Sequence, residues 1–298
     1  MQTDHMKVAT LPPVPSRRTP THGAQSSVPA GHEANLPAGE GERRPGKVWL
    51  RTASVQRGFT LIELAMVMLI VALLIGGMLM PLSAQRDIRN YGDTQKILAD
   101  ARDALQGFAM ANDRLPCPAS PTSNGLESPV GGGVCANPYD GFFPAATLGL
   151  SPVDAQGYLL DGWGGDAVNR VRYAVSKSNT SALTTASGMK TTGISALTPD
   201  LKICSTSVSM TTATPDTAAC AAGAELATDA VAVLYSLGKN AVSGGTSDDE
   251  KHNPNPQTAV VADRAFVYAA QGPAFDDQMI WLSKSALFSR MVAAGRLP

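Results

Sequence analysis

The longest feature in the pattern of apolar and polar positions runs from Phe59 to Leu82, 24 residues with a single charge, Glu63. A helix of that length reaches about 36 Å, enough to cross about 30 Å of bilayer hydrocarbon. Arg51 and Arg57 stand just before it. Cationic residues stay on the cytoplasmic side, so the chain beyond Ala84 is expected outside the membrane. The pattern then changes period without a break. Over 83–113, Ile88, Tyr91, Leu98, Ala101, Leu105, Phe108 and Asn112 recur at spacings of three, four and seven. Arg86, Asp87, Arg89, Asp93, Lys96 and Asp100 take the opposite face. This predicts an amphipathic continuation of the same helix, one face packed on a globular head. Pro116 and Pro118 close it, since the residue before a proline disfavours helical geometry.

From 114 to 298 the apolar stretches are short and separated by Gly, Pro, Ser and Thr. Strands are expected at 171–175 (VRYAV), 201–208 (LKICSTSV), 230–236 (AVAVLYS), 265–269 (AFVYA) and 279–282 (MIWL). Residues 176–199 read as a Ser/Thr-rich loop or irregular hairpin, and 285–294 as a short final helix. The fold class is α+β: a long N-terminal transmembrane and amphipathic helix packed on a small antiparallel sheet with extended loops.

Composition matters most where it is uneven. The 298 residues carry 24 Lys/Arg and 25 Asp/Glu, net −1. Up to Gly58 there are eight basic and four acidic residues; after it, sixteen and twenty-one, net −5. The first 58 residues, rich in Pro, Gly and charge, show no period and are expected to be a disordered basic leader. They lack the small-residue cleavage site of a common export signal. An acidic remainder excludes a general nucleic-acid binder.

The junction is the most specific motif. Gly58–Phe59–Thr60–Leu61–Ile62–Glu63–Leu64 follows a basic residue and opens the apolar run. It resembles the type IV prepilin signal, shared by type IV pilins and the pseudopilins of type II secretion. The resemblance implies cleavage after Gly58 by prepilin peptidase, methylation of the new terminus at Phe59, and a role in assembly for Glu63. A carboxylate at that depth costs a few kcal/mol and seeks a cation, which the amine of Phe59 on a neighbouring subunit would supply. Other pilin or pseudopilin subunits and an inner-membrane assembly platform are the further partners implied. The leader, 58 residues, is long for this signal. Gly76–Gly77 and Pro81 fall where helices of this family bend, because proline removes a backbone donor.

Two stretches of the head resemble the major pseudopilin. Asp161–Gly162–Trp163–Gly164 with Arg172–Tyr173 is similar to its DPWG…Y segment, with Gly162 in place of proline. Ser236–Leu237–Gly238–Lys239–Asn240, Gly244–Gly245 and later Asp276–Asp277 with Trp281 are similar to its calcium loop. Here Asn240 stands in place of an Asp, and about thirty residues separate the GG turn from the Asp pair. Independently of the resemblance, Asp248, Asp249 and Glu250 in a Gly/Ser/Asn-rich loop, with Asp276 and Asp277, offer hard oxygen ligands that suit Ca²⁺ better than Mg²⁺. Solvation alone also accounts for an acidic loop of this kind. Trp163 and Trp281 are expected as core residues rather than ligand contacts.

Cys117, Cys135, Cys204 and Cys220 all follow Gly58, as an oxidising compartment allows. Four cysteines have three pairings. Nearest-neighbour bridges would close two loops of under twenty residues, each contributing about 3 kcal/mol on the chain-entropy model. No close C-x-x-C spacing suggests zinc. Only His252 remains after Gly58, and no HExxH, P-loop or dinucleotide motif is present, so catalysis is not expected.

The expected organisation is therefore a removable leader (1–58), a transmembrane helix (59–82), its amphipathic continuation (83–113) and an exported head (114–298). The expected function is a structural subunit of a type II secretion pseudopilus, a minor component, in the bacterial inner membrane with its head in the periplasm. Alternatives are a type IV pilus adhesin or tip protein, and a signal-anchored hydrolase.

Overall fold

The computed structural model describes residues 58–254 and 262–298, and for 77–82 the helical backbone alone. The chain divides into two units, Met1–Gly58 and Phe59–Pro298; the leader, apart from Gly58, lies outside the described residues.

Helix α1 spans Leu61–Asn112. Its start is written locally: Thr60 is extended and its hydroxyl accepts from the Glu63 amide at 3.3 Å, an N-cap that satisfies one orphan donor. Its end is Asp113, left-handed, whose amide returns to Ala109 O. The helix is continuous past Gly76 and Pro81, where a bend was expected. From Leu61 to Ile75 its large apolar side chains are exposed, Leu61 to 89% and Leu73 to 69%. Among the described residues no helix is long and apolar enough to cross a membrane; the expected span includes 77–82, whose side chains are outside the description.

Burial on α1 begins at Thr94 and follows Leu98, Ala101, Leu105 and Ala109. The expected stripe was too long at both ends. Ile88 is 72% exposed and Asn112 is exposed, its amide turned back to Phe108 O. The helix outruns the head it packs against, so its period continues where no partner surface remains.

Six strands form one sheet: β1 (Gly141–Phe142), β2 (Arg172–Val175), β3 (Leu201–Cys204), β4 (Glu225–Ser236), β5 (Ala265–Val267) and β6 (Gln278–Ser283). Strand β4 is the centre. Its final residues pair antiparallel with β2 on one side and β6 on the other; β3 continues the β2 side toward Glu225. Strand β5 joins β3 in parallel and β1 joins β2 antiparallel. The expected strand 230–236 is thus the buried half of a longer one. Both faces are covered there, which is why AVAVLYS lacks alternation. Ala232 and Leu234 face α1 together with Tyr173 and Val175. Val233 and Tyr235 face a second core with Ile203 and Phe266. The expected strand 201–208 stops at Cys204, because Asp249 draws Thr206 and Ser207 into a turn.

Short helices fill the connections: α2 (Ala145–Leu148), α3 (Ser178–Ser181), α4 (Gly188–Thr192) and α5 (Asp248–His252). The expected loop 176–199 therefore holds two helical turns. Helix α6 (Lys284–Ala293) is capped by Ser283 and buries Leu287, Phe288 and Met291 beside α1. Disulfides link Cys117 to Cys135 and Cys204 to Cys220. Beside the first, Arg114 and Glu127 form a buried two-pronged ion pair at 2.7 Å. Burial pushes Glu127 up, yet Arg114 and the Gly131 and Cys117 amides outweigh it and hold the carboxyl below its ordinary range.

The DGWG segment fixes the head to α1. Gly162 N donates to Thr94 Oγ1 at 3.0 Å, and Thr94 Oγ1 donates to Asn90 O at 2.7 Å. A Cβ at 162 would sit 2.4 Å from Asn90 O, so only glycine allows this approach. Asp161 accepts from Trp163 N (2.8 Å) and from Ser236 Oγ (2.6 Å) at the end of β4. Trp163 and Trp281 are both half-buried rather than core residues; Trp281 packs on the second core, edge-on to Tyr268.

Gly162→Ala is expected to lower the unfolding free energy by about 1–3 kcal/mol, the usual cost of overpacking. Gly164→Ala, whose Cβ would meet only Asn169 Oδ1 at 3.6 Å, is expected to be tolerated. Urea midpoints of the two variants check the contrast.

Candidate functional site

Two places carry the residues singled out by the sequence: the start of α1 and an acidic cluster beyond β4. At the first, Gly58 and Phe59 precede the helix in extended, exposed chain. Glu63 lies in the first helical turn, where negative charge complements the helix dipole. Its side chain is exposed, and so are those of Leu61, Ile62 and Leu64, which surround it around the first turn.

At the second, the chain leaves β4 through Gly238, in left-handed geometry, and makes a 3₁₀ turn at Ala241–Ser243. Gly244 and Gly245 also hold positive φ and bring the loop back to α5. Ser247 caps α5, its hydroxyl accepting from Glu250 N at 3.2 Å. Glu250 is thereby turned inward. Its Oε2 accepts from Asn240 Nδ2 at 2.9 Å and from Thr246 N, and its Oε1 from Asp276 N at 2.7 Å. Asp276 Oδ2 accepts from the amides of Lys239 (3.0 Å) and Asn240 (3.2 Å). Asp277 is buried and accepts from Asn253 Nδ2 at 2.8 Å. One oxygen from each of Glu250, Asp276 and Asp277 lies within 4.8 Å of the others.

The five acids expected here do not stay together. Asp248 is exposed in the first turn of α5. Asp249 Oδ1 is taken by Ser207 N (2.6 Å), Ser207 Oγ (2.7 Å) and Thr206 Oγ1 (3.0 Å). Successive residues on a helix point about 100° apart, so α5 can aim only one of its three acids at Asp276. Asn240, read in the sequence as a departure from the calcium-loop pattern, belongs to the cluster. Its amide nitrogen orients Glu250.

Three carboxylates this close require compensation, and no described Lys or Arg pairs with them. The nearest candidate in the loop, Lys239, reaches Asp87 on α1 instead, at 2.7 Å. Burial and the Glu250 charge push Asp276 up to about 7. Burial, with the neighbouring Glu250 and Asp276, drives Asp277 well above the carboxylate range despite Asn253. Glu250 is held below its ordinary value; burial opposes this, but the Thr246 and Asp276 amides prevail. Two further oxygens, Asp276 Oδ1 and Asn240 Oδ1, are buried without a hydrogen-bond partner. Buried orphans of this kind ask for an unseen donor or ion. An all-oxygen donor set fits a hard divalent cation and not a soft one.

His252 Nε2 lies 4.0 Å from Asp263 and has no hydrogen-bond partner, and all four cysteines are in disulfides.

The model of the prokaryotic N-terminal methylation motif matches residues 53–79. Among curated proteins and solved structures, nothing matches the chain. The chain therefore carries a type IV pilin-like signal, and the motif implies processing by prepilin peptidase and assembly with other pilin subunits.

Without metal, Asp276 and Asp277 retain protons in the folded state that the unfolded chain has lost. A raised folded pKa gives stability that is full below the unfolded value and is lost as pH rises through the folded one. Chelator-treated protein is thus expected to weaken between about pH 4 and about pH 8. Saturating Ca²⁺ is expected to restore the melting temperature at the upper end, and Asp276→Asn to reduce the slope and remove the response. A melting temperature indifferent to Ca²⁺ at the upper pH would eliminate the cation reading.

Proposed function

We propose that this protein is a pilin-like structural subunit of a type II secretion pseudopilus, a minor component, anchored in the bacterial inner membrane and assembled through α1. One observation carries the reading: the methylation motif runs directly into a 52-residue helix whose first part exposes its apolar residues while its last part is buried in the head. A free helix with Leu61, Ile62, Met66, Leu69 and Leu73 more than 60% exposed is unfinished. Burying each such side chain contributes about 1.5–3 kcal/mol. Bilayer lipid and then neighbouring copies of the helix are the surroundings that suit it. The span 59–82 crosses the membrane in this reading, 83–113 continues the filament core, and the head 114–298 lies in the periplasm.

Cleavage after Gly58 leaves an amine at Phe59. On a neighbouring subunit that amine pairs with Glu63, because a carboxylate in apolar surroundings is tolerated when a cation meets it. The residue fixes the axial register: each subunit advances until the two charges meet.

Glu250, Asp276 and Asp277, with Asn240, hold a calcium ion in this reading. The ion would tie the loop after β4 to the start of β6, the strand against which α1 packs. The similarity of DGWG and of the Asp pair to the major pseudopilin favours secretion over pilus assembly. The extended loops braced by two disulfides suit a second reading, an exposed tip or adhesin subunit of a type IV pilus. No nucleic-acid partner is expected of an acidic head.

Mass spectrometry of the mature protein is expected to find methylated Phe59 at the N-terminus. Gly58→Glu should abolish cleavage. Glu63→Leu should leave cleavage intact and remove the protein from sheared filaments. An unmethylated terminus elsewhere in the chain would overturn the reading.

A further inference from the structure

Between α1, the end of β6 and α6 lies a groove of about 450 Å³. Arg102 and Gln106, one turn apart, share one face of α1; Ala286 and Arg290 share one face of α6 in the same way. Both pairs line the groove. Its charged lining is Arg102, Asp103 and Arg290, two cations against one acid. Asp103 Oδ1 accepts from Arg102 Nε at 3.4 Å and from Nη2 at 3.2 Å, so Nη1 is left over. Arg290 is exposed, and its guanidinium has no hydrogen bond or ion pair among the described residues.

Gln106 is only 9% exposed, and its side chain makes no hydrogen bond among the described residues. Water still reaches its amide, in contrast to the sealed amide of Gln278, and the cavity that Gln106 lines is the route. Buried polar groups are normally paired, so an amide held in this position and open to a cavity asks for a partner from outside the fold.

The lining selects among ligands. A cation would meet an excess of positive charge, and a neutral molecule would leave the Arg290 guanidinium unused. One surplus positive charge matches a carboxylate better than a phosphate monoester, which carries about −1.5 to −2 near neutral pH. Guanidinium and carboxylate also fit each other in two-pronged geometry. The Gln106 amide presents a donor and an acceptor side by side. The donor suits a carboxylate oxygen, and the acceptor asks for an N–H or O–H next to it. The volume is within the range of small-molecule sites.

We infer that this groove binds a monocarboxylate with a hydrogen-bond donor beside it, the carboxylate held by Arg290 and Arg102 and the donor by Gln106. The end of a polypeptide and an acidic sugar both carry that chemistry. This binding activity is separate from filament assembly and from the cation site, and it does not depend on either.

The test is a saturation-transfer NMR titration on the full chain in an uncharged detergent without a sugar headgroup, with chloride in excess. N-acetylglycine stands for the chain end and D-galacturonate for the acidic sugar; N-acetylglycinamide and D-galactose are their uncharged counterparts. At least one carboxylate is expected to bind at millimolar concentration, and its counterpart to receive no saturation. Binding of one alone identifies the source; binding of both means that the groove reads the carboxylate itself. Arg290→Gln is expected to weaken binding at least about tenfold, the value of a hydrogen bond to a charged group, at unchanged melting temperature, because the side chain has no partner in the fold to lose. Gln106→Met, close in shape but without the amide, is expected to weaken binding as well; if it does not fold, Arg290→Gln is read alone. No transfer to either carboxylate overturns the proposal. So does equal transfer to the uncharged counterparts, or binding undiminished in a variant that melts as the parent does.

Discussion

The head is referred to the helix through one close approach, the contact of Gly162 with the backbone of α1. A hydroxyl inside a helix normally turns back to the carbonyl one turn earlier, and Thr94 does so to Asn90. Its oxygen then has a lone pair left, which the Gly162 amide uses. From that point the bonds continue through buried groups. Asp161 receives Ser236 Oγ, Ser236 Oγ receives Gly238 N, and Gly238 lies so near Asp276 that a Cβ there would fall 2.3 Å from Oδ1. The helix, the end of the central strand and the acidic cluster thus share one continuous polar seam. Burial pushes Asp161 up to about 6, against the donors of Ser236, Trp163 and Asn169. Asp161, Ser236 and Gly238 are each held by their neighbours, and only at Asp276 Oδ1 does the seam end on an unpaired oxygen.

Much of this was legible in the sequence, for identifiable reasons. The helix shows itself because its apolar run and its amphipathic period join without a gap, and Thr60 and Asp113 are ordinary cap residues. Strand β4 shows itself as VAVLY, a β-rich run bounded by turn residues, but its exposed first half, ELATD, carries no strand signal. That half exists because β3 pairs with it, a non-local cause. The length of the buried stripe on α1 was not legible either. Periodicity reports which face could be buried and is silent about how far the partner surface extends, hence the exposed Ile88.

The site shows the same division. Acids in a Gly-rich loop and an Asp pair 26 residues after Glu250 mark a cluster by chemistry, but their assignment depends on directions that spacing does not fix. Ser247 caps α5 and so decides that Glu250, and not Asp248 or Asp249, turns toward Asp276. The amide side chains follow the same logic. Gln278 looks like an ordinary polar residue in sequence, and only its burial without a hydrogen-bond partner distinguishes it.

Charge arithmetic explains why an amide at position 240 suits the proposed calcium site. Glu250, Asp276 and Asp277, all ionised, would leave a bound divalent ion one negative charge in excess, in a place where burial penalises any net charge. A fourth carboxylate at 240 would double that excess. Asn240 keeps an oxygen for the ion and spends its nitrogen on Glu250, lowering the repulsion before any ion arrives. Burial drives Asp277 above the carboxylate range in the empty cluster, so an arriving ion would displace its proton along with that of Asp276. The one negative charge left over would fall among the amides of Lys239, Asn240, Thr246 and Asp276 that already hold Asp276 and Glu250. A loop with that balance can close over calcium without importing a lysine, and this leaves Lys239 free to reach across to Asp87 and hold the loop against the helix.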